Sequence, residues 1–141
     1  MSVNLKQNAD GSAGLQGRDL DEGGFISVPV GYLAASVDQT IYVANRAVIV
    51  KGIRGRVDVA GTGGAATITI RKVPSGTAIT SGTALHSGTY NIVGTVNTQQ
   101  ALTLSTTPSD LLLAAGDAIA LDFTGTLTSA VGNITLALAP A

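Results

Sequence analysis

Residues that could support catalysis are few in this sequence of 141 residues. His86 is the only histidine, and Ser87 follows it in the stretch GTALHSG. A nucleophilic serine needs a base and an orienting carboxylate around it, and no motif that would expose such a serine surrounds Ser87. Asp117 and Asp122 differ in parity, so on one strand their side chains would lie on opposite faces. We therefore interpret His86 as a loop residue and predict that the protein is not an enzyme.

Metal and cofactor sites have no better support. The run DLDE at 19–22 is similar to the start of a calcium loop, but Val30 occupies the position where a bidentate glutamate belongs. One histidine and no cysteine cannot form a three-ligand zinc site without recruiting carboxylates. The stretch GTGG at 61–64 lacks the lysine and the helix of a phosphate-binding loop. We expect no cofactor and no metal.

The charged residues are segregated along the chain. Eight Lys and Arg against nine Asp and Glu leave a net charge of −1, which excludes a generally basic nucleic-acid-binding protein. Six of the eight bases lie in residues 46–72, together with a single acid, Asp58. Nucleic-acid-binding sheets interleave aromatic residues with their Lys and Arg residues, whereas this basic segment has Thr67 and Thr69 at such positions. We predict instead that an acidic run contacts a basic surface, with these candidate interaction residues: Asp19, Asp21, Glu22, Arg54, Arg56 and Arg71.

The composition indicates a weakly charged protein with a core of small residues. Charged residues are 12% of the chain, mean hydropathy is +0.37, and only five residues are Phe or Tyr. A surface with so little charge favours association. We therefore expect part of the surface to be covered in an assembly, the alternative being a monomer covered in Thr, Ser and Asn. The longest apolar run, 111–115, is too short to span a bilayer, so we expect no membrane association.

Two segments are distinguished by their patterns. Residues 1–24 show no sustained periodicity, which predicts an extended or disordered N-terminal arm. Residues 25–141 contain short segments that alternate apolar and polar positions and are broken by Gly, Pro, Asn and Asp. The alternating apolar positions are Ile26, Val28, Val30, Ile41, Val43, Ala47, Ile49, Ile53, Val57, Val59, Ile68, Ile70, Ile119, Leu121, Phe123, Ile134, Leu136 and Leu138. This period of two predicts an all-β domain, an antiparallel sandwich or barrel.

One hairpin can be drawn in register. If residues 61–64 form its turn, Val57 is opposite Ile68 and Arg54 is opposite Arg71, so that apolar residues meet on one side and polar residues on the other. Two arginines directly opposite each other would repel unless an anion lay between them.

The stretch LLLAAGDAIALDFTGT at 111–126 contains the pattern L-x-A-G-D-x-I-x-L, followed by a Gly/Thr turn and a last alternating strand. With the N-terminal arm, it resembles the head decoration (cement) proteins of tailed phages. The resemblance implies a single antiparallel β-sandwich of jelly-roll type over 25–141, with an extended arm over 1–24 and no catalytic residues.

It also implies a structural virion protein, made in the host cytoplasm, that binds the outer surface of the capsid and bridges its subunits. The expected partners are two further copies, in a homotrimer, and the major capsid protein. The alternative is a receptor- or carbohydrate-binding module of a head or tail fibre, for which Tyr32 and Tyr90 would be the aromatic platforms.

Overall fold

Alternation of buried and exposed side chains places most of the chain in β-strands. The computed structural model describes residues 5–7, 13–15, 24–32, 38–62, 66–125 and 130–141. The strands are β1 (Leu5–Gln7), β2 (Ala13–Leu15), β3 (Gly24–Tyr32), β4 (Gln39–Val43), β5 (Val48–Val59), β6 (Thr67–Val73), β7 (Thr83–Ala84), β8 (Tyr90–Asn91), β9 (Gln99–Leu102), β10 (Leu112–Leu113), β11 (Ala118–Thr124) and β12 (Ala130–Pro140). A 3₁₀-helix (Ile79–Ser81) and a single-turn helix α1 (Pro108–Leu111) connect strands.

Ten of these strands form two antiparallel sheets. The first sheet has the order β3-β12-β5, with β9 and β10 both pairing along the remaining edge of β5. The second has the order β4-β11-β6, with β7 and β8 sharing the remaining edge of β6. The other two strands, β1 and β2, pair with each other, with Leu5 opposite Leu15.

The strand order makes this sandwich a jelly roll. If β7 and β8 count as one strand, and β9 and β10 as another, each sheet is four strands wide and the chain contributes eight strands. The chain alternates between the sheets, since β3 and β5 lie in the first sheet and β4 and β6 lie in the second. β12 is inserted between β3 and β5, and β11 is inserted between β4 and β6. This is the double Greek-key arrangement of an eight-stranded jelly roll. The prediction of an all-β sandwich of jelly-roll type is confirmed.

The predicted pairing of β5 with β6 is wrong. These consecutive strands lie in different sheets, so Val57 is not opposite Ile68 and Arg54 is not opposite Arg71. Val57 and Ile68 are nevertheless both buried in the shared core. The match of apolar with apolar positions therefore reflects two strands that face each other across the core, which local sequence cannot distinguish from two strands side by side.

Two irregularities in β5 change which of its side chains are buried. Val50 pairs with Leu138 and Gly52 with Ala137, so Lys51 is an extra residue, and Asp58 is a second one between Val57 and Val59. Each bulge shifts the alternation by one position. As a result the expected single parity is wrong: Val48, Val50, Ile53 and Val57 are buried, whereas Val59 is half exposed.

Among the residues whose burial is described, Tyr90 is the largest fully buried side chain, and it fills space that a glycine leaves free. A Cβ atom placed on Gly55 would lie 2.5 Å from the Tyr90 ring, closer than two carbon atoms can approach. The same addition at Gly52, three residues earlier in β5, would meet only the Cβ of Ala137 at 3.8 Å, an ordinary contact.

The pattern L-x-A-G-D-x-I-x-L corresponds to the crossing from the first sheet to the second. Gly116 has φ +92°, which a glycine adopts without strain, and its N–H donates to the Ala44 carbonyl. The Asp117 carboxylate accepts a hydrogen bond of 2.9 Å from the Ala114 N–H and so closes the turn. Leu113, Ile119 and Leu121 flank this turn and are fully buried.

We predict that Gly55→Ala lowers the free energy of unfolding by about 2–3 kcal/mol, because the added methyl group overpacks the core against Tyr90. Gly52→Ala should change the free energy of unfolding by less than about 1 kcal/mol, because its added methyl group makes only an ordinary contact. It is a matched control, since both variants restrict the unfolded chain equally. Urea denaturation followed by circular dichroism measures both. Equal stabilities of the two variants would contradict the packing argument.

Candidate functional site

The structure brings Arg54 and Arg56 together on the outer face of the first sheet. Both side chains are exposed, and they are opposite Thr135 and Asn133 of β12. On the other side of β5, Gln99 of β9 is opposite Arg56. The predicted basic cluster therefore exists in part, as two arginines surrounded by uncharged polar side chains.

The guanidinium of Arg56 is held in place by two partners. Its Nε donates to Asp58 at 2.8 Å, in an ion pair whose side chains are both about half exposed. Its Nη2 donates to the Asn97 side-chain oxygen at 2.9 Å. Asn97 has a positive φ of 60°, a conformation that asparagine tolerates, and its N–H donates to Val57. Arg56 is thus a fixed part of the surface with its charge largely compensated.

Arg54 is different, because no described residue forms an ion pair or hydrogen bond with its side chain. It lines a shallow depression of about 360 Å³, which we call the Arg54 groove. The groove is lined by Arg54, Gly55, Arg56, Asn97, Gln99, Asn133 and Thr135. Its chemistry is one uncompensated cation beside amide and hydroxyl groups, an arrangement suited to one carboxylate and the polar groups near it.

Arg71 does not belong to this groove. It lies on β6, in the second sheet, where its Nε donates to Asp122 of β11 at 2.6 Å and its Nη1 donates to the Gly82 carbonyl at 2.9 Å. The 3₁₀-helix (Ile79–Ser81) lies near this pair, and Asp122 is buried. Arg71 therefore secures the loop before β7 onto the second sheet.

Three of the predicted interaction residues, Asp19, Asp21 and Glu22, lie outside the described residues. Their pairing with the basic residues stays a prediction. Tyr32 belongs to β3, where it is opposite Ala130 of β12.

Lys72 has a role that the sequence did not indicate. Its ammonium donates to the carbonyl of Ser109 at 2.6 Å and to that of Leu112 at 3.2 Å. These carbonyls belong to the last turn of α1 and the residue after it, where carbonyl groups lack partners within a helix. Lys72 thus attaches the connection between β9 and β10 to the second sheet. The contact joins residues about 40 positions apart, so no local sequence signal announces it.

His86 is structural, because its imidazole completes the edge of β6. The Ile70 N–H donates to Nε2 of His86 at 2.9 Å, between the segments where β7 and β8 pair with β6. The proton of the neutral ring is then on Nδ1, which lies 3.3 Å from the Ser87 carbonyl. Burial, together with the nearby charge of Arg71, lowers the pKa of His86 below its ordinary value, against an opposing effect of the Ser87 carbonyl.

Tyr90 is buried and therefore cannot be one of the aromatic platforms that the fibre-module alternative requires. Burial, together with the charge of Asp58, raises the pKa of Tyr90 to about 12. Its hydroxyl has no hydrogen-bond partner among the described residues. The large apolar side chains that are exposed in the described part of the chain are Val43, Val59, Val96, Leu112 and Val131.

Across the described ranges, no group of three or more His, Asp or Glu side chains is placed to hold a metal ion. None of the helices in those same ranges has the length and apolar character that a membrane crossing needs.

No protein-family model matches this chain, and no curated protein matches it. Among solved structures, a chain of the cyanophage Pam1 capsid asymmetric unit is similar, with a TM-score of 0.53 and 14% identity, over 85% of this chain and 87% of that chain. A chain of the Bacillus endospore appendages, described as disulfide-linked pili, has a TM-score of 0.41 and 15% identity, over 99% and 100% of the two chains.

A chain of infectious bursal disease virus, Gt strain, has a TM-score of 0.32 and 15% identity, over 84% of this chain and 31% of that chain. At 14% identity, the likeness to the Pam1 chain is one of fold. It agrees with the jelly-roll strand order.

We predict that the protein loses stability as the pH falls below about 6.5, the ordinary pKa of histidine. Because the folded state disfavours protonated His86, the unfolded state binds more protons in this range, and the free energy of unfolding decreases with decreasing pH. Urea denaturation at pH 7.5 and 5.5 measures the decrease in the free energy of unfolding. It should be smaller for His86→Gln, because this variant lacks the titrating imidazole and keeps only the contribution of the carboxylates.

An equal decrease in the two proteins would contradict this role of His86. If His86→Gln does not fold, an NMR titration of the imidazole in the unmodified protein replaces it. A measured pKa at or above the ordinary value would be the contradicting result.

Proposed function

We propose that this protein is a structural component of a phage virion, which binds the outer surface of the capsid and stabilises it by bridging capsid subunits. The observation that carries the proposal is the correspondence of its fold, over 85% of its length, with a chain of the Pam1 capsid asymmetric unit. That chain is matched over 87% of its own length, so the correspondence concerns a whole small domain and not a fragment of a large protein.

The described surface supports a role in contact rather than in chemistry. The one histidine is used to complete a sheet edge, and the described carboxylates accept hydrogen bonds from partners within the chain. The exposed valines of the described ranges, Val43, Val59, Val96 and Val131, offer apolar surface for contacts with other molecules. Val59 and Val131 are opposite each other and each about half exposed, which suits burial in an interface.

The homotrimer and the capsid exterior are parts of the same proposal. The low charge of this chain favours association. A closed cyclic assembly covers apolar surface without propagating into fibres. Three copies around one axis would also let one assembly contact several capsid subunits. The alternative, a fibre module that binds receptors or carbohydrate, loses one of its two aromatic platforms because Tyr90 is buried.

We predict that an antibody raised against the purified protein labels intact virions from the source of this sequence over the whole head surface, because the proposed site is external and repeated. Immunogold electron microscopy shows the distribution, and virions without the protein are the control. Labelling only at fibre tips would support the fibre module instead. Labelling only after particles are disrupted would overturn an external position.

Native mass spectrometry of the full chain should show a species of about three times the 14.0 kDa chain mass. A monomer at micromolar concentration would contradict the homotrimer. The proposed contact with the capsid would still be tested by the immunogold labelling of virions.

A further inference from the structure

The Arg54 groove contains an uncompensated positive charge, and the rest of the described chain offers no acid to balance it. Five of the nine acidic residues are described, and each has a partner elsewhere. Asp58 and Asp122 pair with Arg56 and Arg71, and the other three accept hydrogen bonds, namely Asp38, Asp110 and Asp117. The four remaining acids, Asp10, Asp19, Asp21 and Glu22, all precede β3.

Three of these four acids form a compact run, and the register of β3 places the groove within its reach. Gly24 is opposite Leu138 and Arg54 is opposite Thr135, on either side of β12. With a rise of about 3.4 Å per residue and a strand spacing of about 4.8 Å, the Cα atoms of Gly24 and Arg54 are about 14 Å apart. Asp19 precedes Gly24 by five residues, which span up to about 17 Å.

The side chains around Arg54 suit a peptide better than a phosphate. Arg56 is already compensated by Asp58, whose carboxylate would repel a doubly charged phosphate. The Asn97 side-chain oxygen accepts from Arg56, so the Asn97 NH₂ group remains a donor, and the side chain of Gln99 makes no hydrogen bond within the described ranges. These amides can pair with peptide groups on either side of a carboxylate bound to Arg54.

We propose that the Arg54 groove is a carboxylate-binding site, and that its occupant is the acidic run at residues 19–22 of the same chain. Arg54 binds a carboxylate of the run, Arg56 is a positioning residue that holds Asn97, and Arg71 takes no part. Gly23, immediately before β3, would allow the chain to reverse over the outer face of the first sheet. This proposal does not depend on the virion role.

The test measures peptide binding to the full chain by fluorescence anisotropy at low ionic strength. The probe is a labelled peptide of residues 16–24, QGRDLDEGG. The unmodified chain is compared with a neutralised chain that carries Asp19→Asn, Asp21→Asn and Glu22→Gln. Because a tethered run competes at an effective concentration in the millimolar range, the neutralised chain should bind the probe at least tenfold more tightly than the unmodified chain.

Two further variants identify the residue responsible. In the neutralised chain, Arg54→Gln should weaken binding at least tenfold, since it removes the cation of the groove. Lys51→Gln, the matched control, removes an exposed positive charge from the same strand outside the groove and should leave binding unchanged. A probe with the three acids changed to amides should not bind, and millimolar inorganic phosphate should not compete.

Three results would overturn the proposal. They are equal binding by the unmodified and neutralised chains, unchanged binding in Arg54→Gln, and no binding by any chain. NMR provides a second measurement, because the side-chain NH₂ signals of Asn97 and Gln99 should shift when the probe is added to the neutralised chain. Failure of any of these leaves the virion labelling experiment unaffected, so the two proposals stand or fall separately.

Discussion

The pairing of β5 with β12 is the constraint on which the rest of the structure depends. Ten register pairs join the two strands, and the bulges at Lys51 and Asp58 keep inward residues opposite inward residues along the whole length. Without them, either Val50 or Ile53 would turn away from the core. The same bulges place Arg54 and Arg56 outward, opposite Thr135 and Asn133. The order of the core and the position of the groove therefore have one cause.

The sequence predicts the fold class because alternation is a local property. In β12 the expected Ile134, Leu136 and Leu138 are buried, as is Ala130, which shares their parity. The partner of each strand is a different matter. In a jelly roll β5 and β6 are consecutive but face each other across the core, and the pattern of apolar positions is compatible with both arrangements. The bulges of β5 carry no local signal either, so its phase was predicted wrongly.

The candidate site could be predicted only in part, because the partner of a charged side chain is often far away in the sequence. The basic cluster at 46–72 includes Arg54 and Arg56, which are near in sequence and share a face, so their proximity could be predicted. Nothing local separates them from Arg71, whose partner Asp122 is 51 positions away in another strand. Tyr90 was misjudged for the same reason, since the glycine that makes room for it, Gly55, belongs to the opposite sheet.

The subdivided edges of the two sheets have a consequence for behaviour at high concentration. A continuous free strand offers a row of backbone donors and acceptors to which another molecule can add, and this is how sheet proteins begin to aggregate. Here β7 to β10 are two to four residues long, and between β7 and β8 a histidine ring, not a backbone carbonyl, accepts the Ile70 N–H. One edge of each sheet is therefore difficult for another molecule to extend, in a chain that carries little charge to keep molecules apart.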